Sequence, residues 1–213
     1  MAKQKILVIV AHSDDQILGA GATMADYAHE GHFVKTIILS QGEKSHPHLK
    51  ADVICKIRQK ESEQADEVIG GKGVTFCDFK EGQFPMHYPK HEPLLKQFIR
   101  NYKPTKIFTH SIDDGHPDHV NTHKIVVELY DQMKLKCDLY TFDVWTPFNL
   151  KKRENPWMMV DVTKTYPKKV EALKCFKSQY VAAGYPLILS YLRALYHGFL
   201  NNIPYAEIFY KVR

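Results

Sequence analysis

Short apolar, β-branched runs at residues 5–10, 33–39, 74–77, 106–109, 139–142 and 158–162 alternate with amphipathic segments through most of the chain. Runs of this length suit the buried strands of a parallel sheet, and the segments between them are long enough to be crossover helices. The alternation predicts an α/β fold: a mostly parallel central sheet with helices on its faces. Helices are expected over residues 15–29, with Gly31 just past the end, and over 51–69, closed by Gly70 and Gly71. Others are expected near 93–101, 117–133 and 166–180. The polar stretches 41–50 and 80–91, rich in His, Pro, Lys and Gly, read as long surface loops that wall a pocket together with residues 143–154. No linker, repeat or low-complexity tract divides the chain, so one domain over residues 1–213 is expected.

Composition limits the partners. A 44% hydrophobic content is enough for a full core, and a net charge of +5 with scattered Lys and Arg gives no stripe for nucleic acid. Cys55, Cys77, Cys137 and Cys175 are widely separated with no CxxC pair, which predicts buried thiols in a reducing compartment. After MAKQK only five apolar residues precede the polar stretch, too few for a signal peptide or a span. A cytoplasmic protein without stable membrane insertion is therefore expected.

In such a sheet, ligands bind at the carboxyl ends of strands where the connections reverse direction. Two strand ends are conspicuously polar: AHSDDQ after the first run, and THSIDDGHPDHVNTH after KIFT. Together they gather His12, Asp14, Asp15, His110, Asp113, Asp114, His116, Asp118, His119 and His123. If their strands are neighbours, the two loops meet above the sheet. A divalent metal accounts for such a collection, because it needs imidazoles and a carboxylate converging from separate loops with one position left for water. His12 and Asp15, three apart at a helix entrance, can face one point, with His119 or His116 as the third ligand. The simpler account makes Asp14 or Asp15 an N-cap or first-turn residue that complements the helix dipole.

AHSDDQ resembles the AHPDDE signature, and GHPDHVNTH the HPDHxxxH segment, of the LmbE-like/PIG-L de-N-acetylases, zinc enzymes that remove acetyl groups from N-acetylglucosaminyl conjugates. LSQGE, RQKESEQADEVIG and the terminal AEIFYKVR are similar to further family segments in the same order. The resemblance implies a Rossmann-like three-layer fold in which His12, Asp15 and His119 bind Zn2+ (Fe2+ or another divalent ion being possible). It implies Asp14 as general base, His116 as oxyanion stabiliser or acid to the leaving amine, and Asp118 as the residue orienting it. The chemistry agrees: two imidazoles and one carboxylate leave zinc an open site, and zinc lowers the pKa of bound water to about 7. Amide hydrolysis also needs a proton acceptor and a group to meet developing negative charge.

The chain departs from the family pattern at Ser13, where Pro is usual, and at Gln16, where Glu is usual. Losing Pro loosens the loop, and Gln16 alters hydrogen bonding around the metal. The resemblance also suggests Arg58 as a substrate-binding residue, against a solvated helix arginine. His123 is a fourth ligand or a residue behind the ligands, while His46, His48, His87 and His91 read as surface residues. Asp113 and Asp114 precede Gly115 in a turn, where Asp is favoured for backbone reasons alone. LGAGAT lacks the third glycine of a dinucleotide fingerprint, so its small residues are expected to pack the first helix against the sheet. The apolar segment from Tyr185 reads as a core helix, then as a subunit contact.

The leading expectation is a zinc-dependent hydrolase removing the N-acetyl group from an N-acetylglucosamine-type sugar or conjugate, with an amino-sugar small molecule as substrate and a homo-oligomeric state. Its rivals are a non-catalytic sugar- or metal-binding protein on the same fold, and an iron(II) site for oxygen chemistry, which leaves Asp14 without a task.

Overall fold

The strand β1, Lys5–Val10, is buried along nearly its whole length and runs through the middle of the sheet. In this computed structural model, which describes residues 2–45, 48–146, 154–179 and 184–213, β1 lies between β2, Phe33–Ser40, and β4, Lys106–His110, parallel to both. Beyond them lie β3, Val74–Phe79, and β5, Asp138–Phe142, again parallel. The sheet ends antiparallel: β7, Ala206–Lys211, joins β5, and β6, Trp157–Asp161, forms the edge. The order is β3-β2-β1-β4-β5-β7-β6. The chain therefore grows one way from β1 and the other way from β4, and the reversal falls between those two strands.

The two-residue period of β1 sorts its side chains into two cores. Ile6, Val8 and Val10 pack with α1, Asp15–His29, α2, Ala51–Ile69, and α5, Tyr166–Leu173. Leu7, Ile9 and Ala11 pack with α3, Phe84–Tyr102, and α4, Pro117–Met133. The result is the expected three-layer α/β fold.

Helix α1 is held unusually closely. A Cβ on Gly19 would lie 2.1 Å from the Phe142 ring, so only glycine admits this approach to the end of β5. On the same helix the Leu18 carbonyl accepts from Lys169 Nζ at 2.8 Å and Ser190 Oγ at 2.8 Å. The Glu207 carboxylate, 2.7 Å from Lys169 Nζ, accepts the Thr23 N–H at 2.8 Å. Lys169 and Glu207 are both buried, so each offsets the other's desolvation while satisfying the helix backbone.

Three segments differ from the sequence expectation. The stretch 80–91 is mostly helix, because α3 begins at Phe84 rather than at residue 93. Pro85, Pro89 and Pro93 recur every fourth residue and all face solvent, where water meets the carbonyls that a proline leaves unbonded. Phe84, Tyr88, Leu95 and Ile99 fill the opposite, buried face. Helix α5 stops at Leu173, and a 3-10 turn follows at Lys177–Gln179; residue 180 lies outside the described residues. The segment from Tyr185 belongs to α6, Gly184–Leu200, which is not a core helix: it buries Leu189 and Ala194 but exposes Ile188, Leu192 and Phe199, the last at 80%. No helix among the described residues is long and apolar enough to cross a membrane.

Near the end of α2, the buried Asp66 accepts the Gly73 N–H through Oδ2 at 2.9 Å while its Oδ1 has no hydrogen-bond partner. Burial lifts its pKa from 3.8 to about 6, against the opposing pull of that N–H. A carboxyl whose folded pKa is raised adds stability at low pH, and that contribution is lost as pH rises through the folded value. Asp66→Asn removes this titration. Urea unfolding at pH 4.5 and pH 7.5 is expected to show the variant gaining on wild type at the higher pH, by about 2 kcal/mol; an unchanged difference would refute the assignment.

Candidate active site

The pairing of β1 with β4 brings both polar strand ends together. At the end of β1 the Ala11 N–H donates to Nε2 of His110, the last residue of β4, at 3.1 Å. The chain then turns into α1, whose first residue, Asp15, directs its carboxylate back over the turn. Oδ2 of Asp15 is the centre of the cluster. It accepts the His12 N–H at 2.8 Å and lies 3.4 Å from His12 Nδ1, 3.3 Å from His110 Nε2 and 3.2 Å from His119 Nε2. His119 arrives from α4, one turn after His116 at the N-cap.

Among the described residues, two overlapping sets have ligand atoms within 4.8 Å of one another: His12, His116 and His119, and Asp15, His110 and His119. Two donors on a tetrahedral zinc at about 2.05 Å each stand about 3.3 Å apart. The Asp15–His12 and Asp15–His119 separations of 3.4 and 3.2 Å have that spacing. His110 has it too, but its Nε2 lone pair is engaged by Ala11. His119 Nδ1 meets Asp114 Oδ1 at 2.9 Å, which leaves Nε2 as the atom available to a ligand, buried and with no hydrogen bond among the described residues. Asp15 thus stands at ligand spacing from both His12 and His119, while the sets whose atoms all lie close together join His119 either to His12 and His116 or to Asp15 and His110.

The electrostatics favour positive charge at this point. Burial opposes a charged His119, yet Asp15 and Asp114 outweigh it and lift the imidazole to about 10. Burial likewise opposes His12, but Asp118 and Asp15 lift it to about 9. His110, depressed by burial and by His119, falls to about 4 and stays neutral. Burial disfavours ionised Asp15, but His119 and His110 hold its pKa well below the usual range. Asp14 is shifted the other way: burial and the neighbouring Asp15 raise it, and Arg58 moderates the rise.

Around this centre opens a cleft of about 410 Å³, lined by His12, Asp14, Asp15, Arg58, Glu81, His116, Asp118, Trp145 and Gln179 among others. His116 Nδ1 accepts the Asp118 N–H at 3.1 Å, so the neutral ring carries its proton on Nε2. The Asp118 carboxylate lies elsewhere: it accepts the Gly82 N–H at 3.0 Å and faces His12 Nε2 at 3.4 Å. What orients His116 is therefore the backbone of Asp118, not its side chain. Arg58 is only 3% exposed, with Nη2 3.7 Å from Asp14 Oδ1 and Nη1 4.0 Å from Glu81 Oε1. Gly42, at φ +72°, lies over it; a Cβ there would fall 1.9 Å from Arg58 Nη1.

Of the remaining residues, Gln16 turns away from the cluster and donates to the Ser13 carbonyl at 2.9 Å, which also accepts from Ser62 Oγ at 3.2 Å. The loop that lost proline is thus tied down from α2. His123 is buried, with Nδ1 2.9 Å from the His110 carbonyl, and belongs to neither ligand set. His48 is exposed and His87 half-buried, whereas His91 is buried against Phe79 and paired with Asp78; His46 lies outside the described residues. Of the segment 143–154, residues 147–153 lie outside them as well. The sequence reading assigned Asp114 only to a turn. Its carboxylate in fact joins His119 to the chain after β5, accepting the Val144 N–H at 2.6 Å and the Trp145 N–H at 3.1 Å. The signal available was its place five residues before His119.

The PIG-L family, described as GlcNAc-PI de-N-acetylase, matches residues 7–130. A mycothiol S-conjugate amidase of Streptomyces coelicolor is 29% identical over 152 residues, 60% of this chain and 52% of the relative. The chain spans about half the length of relatives of this kind. A 4-oxalmesaconate hydratase of Pseudomonas putida is 24% identical over 83% of this chain and 74% of its own. The structure of an N,N'-diacetylchitobiose deacetylase from Pyrococcus horikoshii superposes with a TM-score of 0.82 at 20% identity, covering 98% of this chain and 84% of that one, and so shares the fold.

If Asp114 fixes His119 as a ligand, Asp114→Ala weakens zinc binding about 10- to 100-fold. Competition with a fluorescent chelator measures this, and wild-type affinity in the variant would exclude the role.

Proposed function

The chain belongs to the PIG-L family of GlcNAc-PI de-N-acetylases, and from that membership we propose that it is a metal-dependent amidohydrolase releasing acetate from an N-acetylglucosamine-type sugar or conjugate. The observation that supports the reading is the Asp15 carboxylate at ligand spacing from both His12 and His119, with Asp14 beside it in the same cleft. Zinc is the proposed ion, and His12 Nδ1, Asp15 Oδ2 and His119 Nε2 would hold it. When bound it supplies a Lewis acid that polarises the amide and brings a coordinated water to a pKa of about 7.

The chain's own groups divide the remaining work. Asp14, next to a ligand but not one, takes the proton of the attacking water on its carboxylate; its raised pKa suits an acceptor that later returns the proton to the amine. His116 offers Nε2–H to the oxygen on which negative charge develops, with its tautomer fixed by the Asp118 N–H. Asp118 holds His12 against rotation from the cleft side. Arg58 steadies Asp14 and Glu81 and, as a residue lining the cleft, is the proposed contact for a substrate hydroxyl.

A second reading, addition of water to an unsaturated acid, has one observation in its favour: the hydratase relative aligns with 83% of this chain. The lining of the cleft weighs against it. Asp14, Asp15, Glu81 and Asp118 surround a single arginine, Arg58, which is already engaged by two of them. A neutral sugar suits such walls better than a carboxylate does.

We also propose that the chain self-associates through α6, whose exposed Ile188, Leu192 and Phe199 make an apolar face. Sedimentation velocity should show wild type as an oligomer and Phe199→Asp with Ile188→Asp as a smaller species; identical profiles would refute the surface assignment.

Acetate release by the zinc-loaded protein from N-acetylglucosamine and N,N'-diacetylchitobiose tests the principal reading. Asp14→Asn is expected to keep its zinc and lose about 10²- to 10⁴-fold in rate. Undiminished turnover in that variant would rule out the base, and consumption of unsaturated acids with no acetate released from sugars would transfer the assignment to the hydratase reading.

A further inference from the structure

The chain leaves β5 along the rim of the cleft, and residues 144–146 are gripped from both sides. Asp114 Oδ2 accepts the Val144 N–H at 2.6 Å and the Trp145 N–H at 3.1 Å, while its Oδ1 meets His119 Nδ1. From α6, Arg193 Nη1 donates to the carbonyls of Val144 at 3.1 Å and Thr146 at 2.7 Å. Thr146 Oγ1 donates to the Asp113 carbonyl at 3.0 Å. Between these ties Val144 is fully buried, but Trp145 is 37% exposed and lines the cleft, with its ring 6.1 Å from that of His116.

An indole tied down at its backbone and partly exposed at the cleft adds, beside Leu18, Pro117 and Pro186, a flat apolar plate to a wall that also carries carboxylates and imidazoles. Its complement is a ligand with one C–H-rich face and a hydroxyl-bearing rim, which is the chemistry of a pyranose ring. Resting on the deacetylase reading, the geometry points to Trp145 as the platform on which the sugar ring of the substrate lies, with Asp114 as the positioning residue that sets this platform at a fixed distance from His119. One oxygen of Asp114 serves the metal ligand and the other serves the substrate wall. The sugar is thereby registered against the reacting centre through a single carboxylate.

Trp145 and Trp157 are the only two tryptophans, and Trp157 lies on the exposed edge strand β6. In a Trp157→Phe background carrying Asp14→Asn to stop turnover, the emission of Trp145 is expected to change saturably with N-acetylglucosamine. In the active enzyme, Trp145→Ala is expected to raise KM about five- to tenfold with kcat within about twofold, and Trp145→Phe to recover most of the loss. Asp114→Asn raises KM too, and adding it to Trp145→Ala raises KM little further, because the two act through one contact. Sugar turnover with an unchanged KM in Trp145→Ala overturns the platform and leaves the deacetylase reading standing. A saturable emission change in zinc-loaded protein that releases no acetate supports the platform and removes the hydrolysis. Neither turnover nor an emission change removes both, and KM effects that multiply overturn the role of Asp114.

Discussion

The parallel pairing of β1 with β4 is the constraint from which the site follows. Residues 6–8 are in register with 106–108, so two strands almost one hundred residues apart end side by side, and the loops they release cannot avoid each other. The direction of chain growth changes at that pair, so no crossover helix covers the gap between their carboxyl ends. Everything polar in the cluster is delivered to this opening by an apolar framework that has no polar requirement of its own.

Once gathered, the charges are workable only as a set. Asp15 and Asp114 are buried carboxylates, and each is kept ionised by the imidazoles around it despite burial. His12 and His119 in turn hold positive charge only because of those carboxylates. A cation at the centre satisfies the same field. Asp14 stands just outside this mutual arrangement, balanced between Asp15 and Arg58, and that separates the proposed proton carrier from the proposed ligand one residue away. The adjacency of the two aspartates in sequence becomes a division of labour because the helix starts between them.

Much of this was legible in the residues. The parallel strands were marked by apolar runs of buried length, and the meeting of two His/Asp-rich loops followed once their strands were neighbours. The bounds of α1, α2 and α4 were legible because their stop signals are local, such as Gly70 at φ +80°. What escaped depended on partners distant in the chain. Asp114 is chemically indistinguishable from an ordinary turn aspartate until Val144 and Trp145 arrive thirty residues later. The stretch 80–91 read as a loop because the common solvent-facing stripe of its prolines becomes visible only when the fourfold spacing is set against a buried face. The apolar pattern of α6 was real, but hydrophobicity alone does not tell a core from a surface that meets another molecule.

The clasp on α1 bears on how the protein is made. Leu18 is tied to Lys169, 151 residues further on, and Thr23 to Glu207, 184 residues further on. A chain emerging from the ribosome N-terminus first displays both His/Asp-rich loops well before it can supply either half of that ion pair. The helix that carries Asp15 is thus clasped by residues that follow it by 151 to 184 positions. The motif-bearing half is no independent module: the helix that bears Asp15 is clasped by Lys169 and Glu207, which lie outside the segment by which the family is recognised.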